Sequence, residues 1–126
     1  MNKKIIITDK APAPIGPYNQ AVLVNDMLYV SGQIAINPAS GQLVLDNIIK
    51  ETQQVMNNLK AILEAAGMDF SHVIKTTIFL KDMNQFSSVN EVYGAFFKSD
   101  FPARETVQVA ALPKFVNVEI SVVASM

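Results

Sequence analysis

The residues best suited to chemistry lie near the end of the chain, in two runs that alternate polar and apolar side chains. Over 104–109, Arg104, Thr106 and Gln108 share one side of an extended backbone, and Glu105, Val107 and Val109 share the other. Over 117–124, Asn117, Glu119 and Ser121 share one side, and Val118, Ile120 and Val122 the other. Paired as an antiparallel hairpin folded about residues 111–112, these strands set Arg104 opposite Glu119, with polar side chains meeting polar and valines meeting valines. A guanidinium beside a carboxylate has two readings. On a solvated sheet face it is a cross-strand ion pair of under ~1 kcal/mol. In a cleft, the planar guanidinium fork suits a carboxylate ligand, held by two parallel hydrogen bonds. Glu119 would then orient or deprotonate a water beside that ligand.

Other candidates are weaker taken singly. Ser31-Gly32-Gln33 ends a strand. Gly32 permits close backbone approach and Ser31 offers a hydroxyl, although a strand-ending bulge explains the same residues. Tyr18 follows a stiff Pro-rich stretch, Ala11–Pro17, and is either a pocket wall or a core aromatic. Asn90 reads as a solvated helix residue. His72 flanks a turn, shows no evident partner and reads as an ordinary surface residue. Thr106 shares the Arg104 side by strand parity. There is no phosphate-cradling loop, dinucleotide turn, nucleophile elbow or metal-spaced acid cluster.

Composition removes whole classes of function. Of 126 residues, 50% are hydrophobic and 17% charged, enough apolar material for a core and too much for disorder. Ten Lys+Arg against eleven Asp+Glu leave a net charge of −1, so no basic field exists for nucleic acid. The absence of cysteine excludes a disulfide scaffold, thiolate catalysis and a Cys-based zinc site, and a single histidine excludes a multi-His metal cluster. No apolar run approaches the ~18–20 residues of a membrane span, and Ile5-Ile6-Ile7 is too short for a secretory core. The expected compartment is the cytoplasm. A mean hydropathy of +0.25 is high for a small soluble monomer and points to an oligomer.

One domain, 1–126, must position these residues. Residues 3–7, 19–24 and 27–31 read as strands, with Asn25-Asp26 as a two-residue hairpin and 37–41 as a turn. Residues 48–66 read as a helix. Val55, Leu59, Ile62 and Ala66 form its apolar stripe, with Met56 and Leu63 beside it. Lys50, Glu51, Gln53, Gln54, Asn57 and Lys60 take its polar face, and Gly67 its stop. A β-branched strand over 73–80 precedes a second helix over about 85–97, with Asn84 as N-cap. The two terminal strands complete the order β-β-β-α-β-α-β-β. That order implies an α+β fold, a mixed sheet with two helices on one face. The uncovered face is the natural oligomer surface.

Taken together, Gly16-Pro17-Tyr18-Asn19-Gln20-Ala21, Tyr29-Val30-Ser31-Gly32-Gln33, Lys75-Thr76-Thr77-Ile78-Phe79-Leu80, Pro102-Ala103-Arg104 and Val118-Glu119-Ile120 resemble the RidA/YjgF family of reactive-intermediate deaminases. The resemblance runs over essentially the whole chain. It implies a chorismate-mutase-like fold assembled as a homotrimer, with a central barrel of sheets and three clefts between subunits. It implies hydrolysis of 2-imino acids and their 2-amino-alkenoate tautomers, such as 2-aminoacrylate, to 2-oxo acids and ammonia, with no metal or organic cofactor. It assigns Arg104 to the substrate carboxylate and Glu119 to the attacking water. Tyr18, Ser31 and Gly32 line the same cleft, and Asn90 lies near it. Many members carry Cys where Thr106 stands and Ser where Glu105 stands. Thr106 should touch the pocket, and Glu105 should face core or interface and need a partner. A non-catalytic binder or sensor of small carboxylates such as 2-oxo acids would use the same Arg104. A third reading is a macromolecular role as ribonuclease, translation inhibitor or chaperone; the near-neutral charge and the absence of a basic aromatic stripe argue against RNA binding.

Overall fold

The computed structural model describes all 126 residues. Six strands and two helices follow the expected order: β1 (Lys3–Ile6), β2 (Ala21–Val24), β3 (Met27–Gln33), α1 (Ile48–Ala65), β4 (Val73–Leu80), α2 (Phe86–Gly94), β5 (Ala103–Gln108) and β6 (Val118–Ser125). All strands join one sheet in the order β1-β2-β3-β6-β4-β5. The β4–β5 pair is parallel and every other pair antiparallel.

Local chemistry accounts for most boundaries. The β2–β3 hairpin turns through Asn25, which takes a left-handed φ of 55° that asparagine tolerates well. Asn47 caps α1 by accepting the Lys50 amide at 2.9 Å, and Gly67 ends it at φ 75°. The α1 stripe Val55, Met56, Leu59, Ile62 and Leu63 is fully buried against the sheet, alongside Leu28, Ile78, Leu80 and Ile120. Both helices lie on this face, with α1 over β3 and β6 and α2 against α1.

The terminal strands do not pair with each other. β6 runs up the middle of the sheet between β3 and β4, and β5 lies at the edge beside β4. Burial explains the exchange. On β6, Val118, Ile120, Val122 and Ala124 are all buried, as a central strand requires. No residue of β5 is fully buried, and its Arg, Glu and Gln suit an edge. The 104–119 pairing expected from a hairpin is therefore replaced by two separate registers. Arg104 aligns with Thr76 and Glu119 with Phe79. Positions 76 and 79 alternate faces on β4, so Arg104 lies on the helix-covered side and Glu119 on the open side.

Three smaller expectations also change. The second helix is shorter than 85–97. A 3₁₀ turn (Met83–Gln85) precedes it, capped by Asp82, which accepts the Asn84 amide at 2.9 Å, and α2 itself begins after Gln85 with no side-chain cap, so Asn84 caps neither. Glu51 belongs to the buried side of α1, with no exposed surface. His72 has a partner: its Nδ1 accepts the Asp69 amide at 3.0 Å and closes a capping box.

The open face carries Val22, Tyr29, Val123, Thr77, Phe79 and Val107 in adjoining registers. Glu105 faces this side and finds the partners it needs in the Thr77 hydroxyl and in Lys75 Nζ at 2.9 Å. The Thr77 hydrogen bond and then Lys75 hold its carboxyl below the usual glutamate range.

Candidate active site

The predicted site residues fall into two cavities, each of about 360 Å³. One collects Tyr18, Ser31, Gly32 and Glu119. The other collects Asn90 and Arg104 with Tyr93, Gly94, Phe101 and Pro102. Thr106 lines neither. It shares the Arg104 face, and its hydroxyl is buried without a hydrogen-bond partner.

The Glu119 cavity is built on backbone. The β3–β6 register shifts between Val30 and Gln33, so β3 bulges where Ser31 and Gly32 sit. A side chain at Gly32 would place its Cβ 2.9 Å from Glu119 Cδ and 3.1 Å from Cγ. Glycine lets the carboxyl lie directly against the main chain, and any larger residue would make it shift. Ser31 is fixed at both ends: its amide donates to Gln20 O at 2.9 Å, and its hydroxyl donates to Asn19 O at 2.6 Å. Half-burial holds the Glu119 carboxyl above the ordinary glutamate value.

The stiff loop of residues 11–17 forms the opposite wall through Pro12, Ala13 and Ile15. Its anchor is Gln20, which the sequence reading passed over. This buried amide accepts from Thr8 N at 2.8 Å, and its Nε2 donates to Thr8 O at 2.9 Å, Pro12 O at 2.9 Å and Ala11 O at 3.3 Å. Prolines leave such a loop short of amide donors, so a side chain supplies the hydrogen bonds. Tyr18 closes the turn, its hydroxyl accepting the Ile15 amide at 3.2 Å.

The Arg104 cavity is built on aromatic rings. The guanidinium carbon lies 5.2 Å from the Tyr93 ring centre and 5.6 Å from that of Phe86, both on α2. Tyr93 is itself held by a buried hydrogen bond from its hydroxyl to Thr76 Oγ1 at 2.9 Å. Burial raises the Tyr93 pKa, with the Thr76 hydrogen bond and the Arg104 charge acting against it. Arg104 takes part in none of the chain's ion pairs. Its fork is positioned by stacking and its donors are free for an anion.

One family model, described as endoribonuclease L-PSP, matches residues 8–126. The human 2-iminobutanoate/2-iminopropanoate deaminase is 53% identical over 122 residues, covering 97% of this chain and 89% of the human protein. The protein of the same name from Bos taurus is 55% identical over 97% of this chain and 89% of its own length. Among solved structures, the YjgF gene product of E. coli superposes with a TM-score of 0.93 at 46% identity, covering 97% of this chain and 98% of that one. E. coli TdcF with bound serine superposes with a TM-score of 0.94 at 41% identity, covering 98% of each chain. With a matching family model, relatives above half identity and these superpositions along nearly its full length, the chain belongs to the RidA/YjgF family.

Proposed function

We propose that the protein is a hydrolytic deaminase of 2-imino acids and their enamine tautomers, yielding 2-oxo acids and ammonia. It is an enzyme of the 2-iminobutanoate/2-iminopropanoate deaminase type, as its relatives are named. The observation that carries the mechanism is the pair of half-sites: an unpaired guanidinium on one sheet face and a half-buried carboxyl on the other. In one chain the two cannot meet across the sheet. In a homotrimer, Arg104 of one copy meets Glu119 of its neighbour in a cleft between subunits, and the open sheet faces form a central barrel. The exposed apolar residues Tyr29, Val107 and Ile15 and a mean hydropathy of +0.25 support that burial between copies.

The chemistry asks little of the protein. An imine carbon is already electrophilic, and each ~1.4 kcal/mol removed from the barrier is a tenfold gain. Arg104 grips the substrate carboxylate and fixes the imine carbon. Glu119, with its carboxyl held above the usual pKa, accepts a proton from the water that attacks that carbon. Ser31 and Gly32 wall the site on the Glu119 side, and Tyr18 closes it. Asn90 borders the Arg104 side, and Thr106 shares the Arg104 face of β5. Addition of water and loss of ammonia leave the 2-oxo acid.

A trapping assay tests this reading. An amino-acid oxidase generates an imino acid, semicarbazide captures it, and the protein should suppress capture. Binding of 2-oxo acids without suppression across several imino acids would instead leave a carboxylate-binding protein, a reading that the serine held by TdcF makes worth including. Sedimentation equilibrium should give three chain masses; one or two at micromolar concentration would remove the shared cleft.

A further inference from the structure

Glu51 has no part in the chemistry above, yet it is the most deeply buried carboxyl of the chain, with no exposed surface. No lysine, arginine or histidine pairs with it. Its two oxygens instead accept three hydrogen bonds, all from the start of β6: Asn117 N at 2.8 Å, Asn117 Nδ2 at 2.7 Å and Val118 N at 3.2 Å. The β3–β6 ladder runs only as far as Gln33 opposite Ile120. Upstream of that pair β6 has no β3 partner, and amides in a buried setting need acceptors. Glu51 reaches in from the first turn of α1 and stands in for the missing strand. On the other side, Asn117 O accepts the Lys81 amide at 3.0 Å, so the entry to β6 is gripped from both flanks.

The next residue after Val118 is Glu119, whose carboxyl lies so close to the Gly32 backbone that one added carbon would force it to shift. We infer that Glu51 is a positioning residue for Glu119: by clamping Asn117 and Val118 it sets where the Glu119 carboxyl stands relative to the Gly32 bulge. The inference rests on the deaminase reading of Glu119. It differs from a general stabilising role in one respect. Arg104 sits on β5, and none of Glu51's hydrogen bonds reaches that strand, so loss of the clamp should disturb presentation of water and leave carboxylate binding intact. The effect belongs in kcat, with KM little changed.

The test compares Glu51→Met and Glu51→Gln with the wild type in the semicarbazide assay, with fold and assembly followed by circular dichroism and sedimentation. Met keeps length and burial but offers the two backbone amides only a weakly accepting thioether in place of a carboxylate. Gln keeps one acceptor for them, and the Asn117 amide can turn to meet its other end. We expect Glu51→Met to lose about tenfold or more in kcat with KM within about twofold, since small misplacement of a reacting group is costly. Glu51→Gln should stay within about threefold of wild type, a rescue by hydrogen-bonding capacity rather than charge. If Glu51→Met fails to fold, Asn117→Ala, which deletes only the side-chain bond, carries the test, and a drop of about threefold in kcat alone is expected. A folded variant with wild-type kcat, or one altered only in KM, overturns the positioning role while leaving the deaminase reading standing. A wild type without turnover defeats that reading and this inference with it.

Discussion

The two cavities hold their charged residues by different means. Glu119 stands in the middle of the sheet, opposite Phe79 of β4 and just past the end of the β3 ladder, against a bulge with no side chain to yield. Arg104 stands on an edge strand, its guanidinium laid over two rings with no ion-pair partner. A general base must meet a water at a defined point, and backbone supplies that definition. A carboxylate clamp must tolerate arrival and departure of an anion, and a stacked guanidinium keeps its donors free while it is held. The rigid half therefore belongs to kcat and the stacked half to substrate capture.

The largest effect should come from the stacked half. Arg104→Ala removes the only cation in its cavity, and loss of a bidentate charge-assisted pair is worth ~3–5 kcal/mol, or ~10²–10⁴ in kcat/KM. The fold and assembly should survive, because Arg104 is not fully buried and lies on the helix-covered face, away from the open face of the proposed barrel. Arg104→Lys should recover only part of the activity, since a point charge lacks the fork. A fully active Arg104→Ala enzyme would detach this cavity from the reaction.

Next is Glu119→Gln, with an expected loss of ~10²-fold or more in kcat and little change in KM. Burial raises the Glu119 pKa, so the wild-type enzyme should lose kcat/KM on acidification through a pKa above the ordinary 4.5. The sign for stability is opposite to that of a paired carboxylate. A group whose pKa is raised on folding contributes stability below its unfolded pKa, and that contribution is lost as pH rises through the folded value. Glu119→Gln should therefore be at least as stable as wild type at neutral pH, an advantage that disappears in acid. Thermal melts of both proteins from pH 4 to pH 8 would show it, and a variant less stable at pH 7 would contradict the burial account.

The contrast between the halves also explains what the sequence could and could not reveal. Side-chain periodicity carried the α1 stripe, the β2–β3 hairpin and the element order, because those depend on neighbours within a few residues. Which strands adjoin depends on the whole sheet. The terminal runs alternate in compatible ways, so a hairpin looked self-consistent, and it put Arg104 and Glu119 on the same face of one chain. The signal against it was compositional: 118–124 has the unbroken apolar side of a central strand, while 103–108 mixes Arg, Glu and Gln as an edge does. Glu51 was legible in principle as well. It is in phase with Val55, Leu59 and Ile62, so the helix that buries them buries it too. Gln20 offered no such signal, because its worth lies in carbonyls and an amide eight to twelve residues upstream.

A smaller effect should follow from crowding the rigid half. Gly32→Ala introduces a carbon 2.9 Å from Glu119 Cδ, a distance that forces either the bulge or the carboxyl to move. We expect a loss of about tenfold in kcat with the fold intact, on the scale of a displaced catalytic group. Kinetics unchanged from wild type would mean that Glu119 swings aside at no cost, and the claim that backbone fixes it would fail.

The smallest effect should appear in the aromatic cradle. Tyr93→Phe keeps the ring beneath Arg104 and removes only the hydroxyl bonded to Thr76 at 2.9 Å. The buried Thr76 hydroxyl then loses its partner, a cost of about 1–2 kcal/mol in stability. The guanidinium keeps both rings, so kcat/KM should change by no more than about threefold. Tyr93→Leu removes the ring itself and should raise KM while sparing kcat, because Tyr93 holds Arg104 alone and Glu119 reaches the shared cleft from the neighbouring copy. A Tyr93→Leu enzyme that lost kcat at unchanged KM would reverse the division of labour drawn above, since stacking on α2 would then be governing the water rather than the anion.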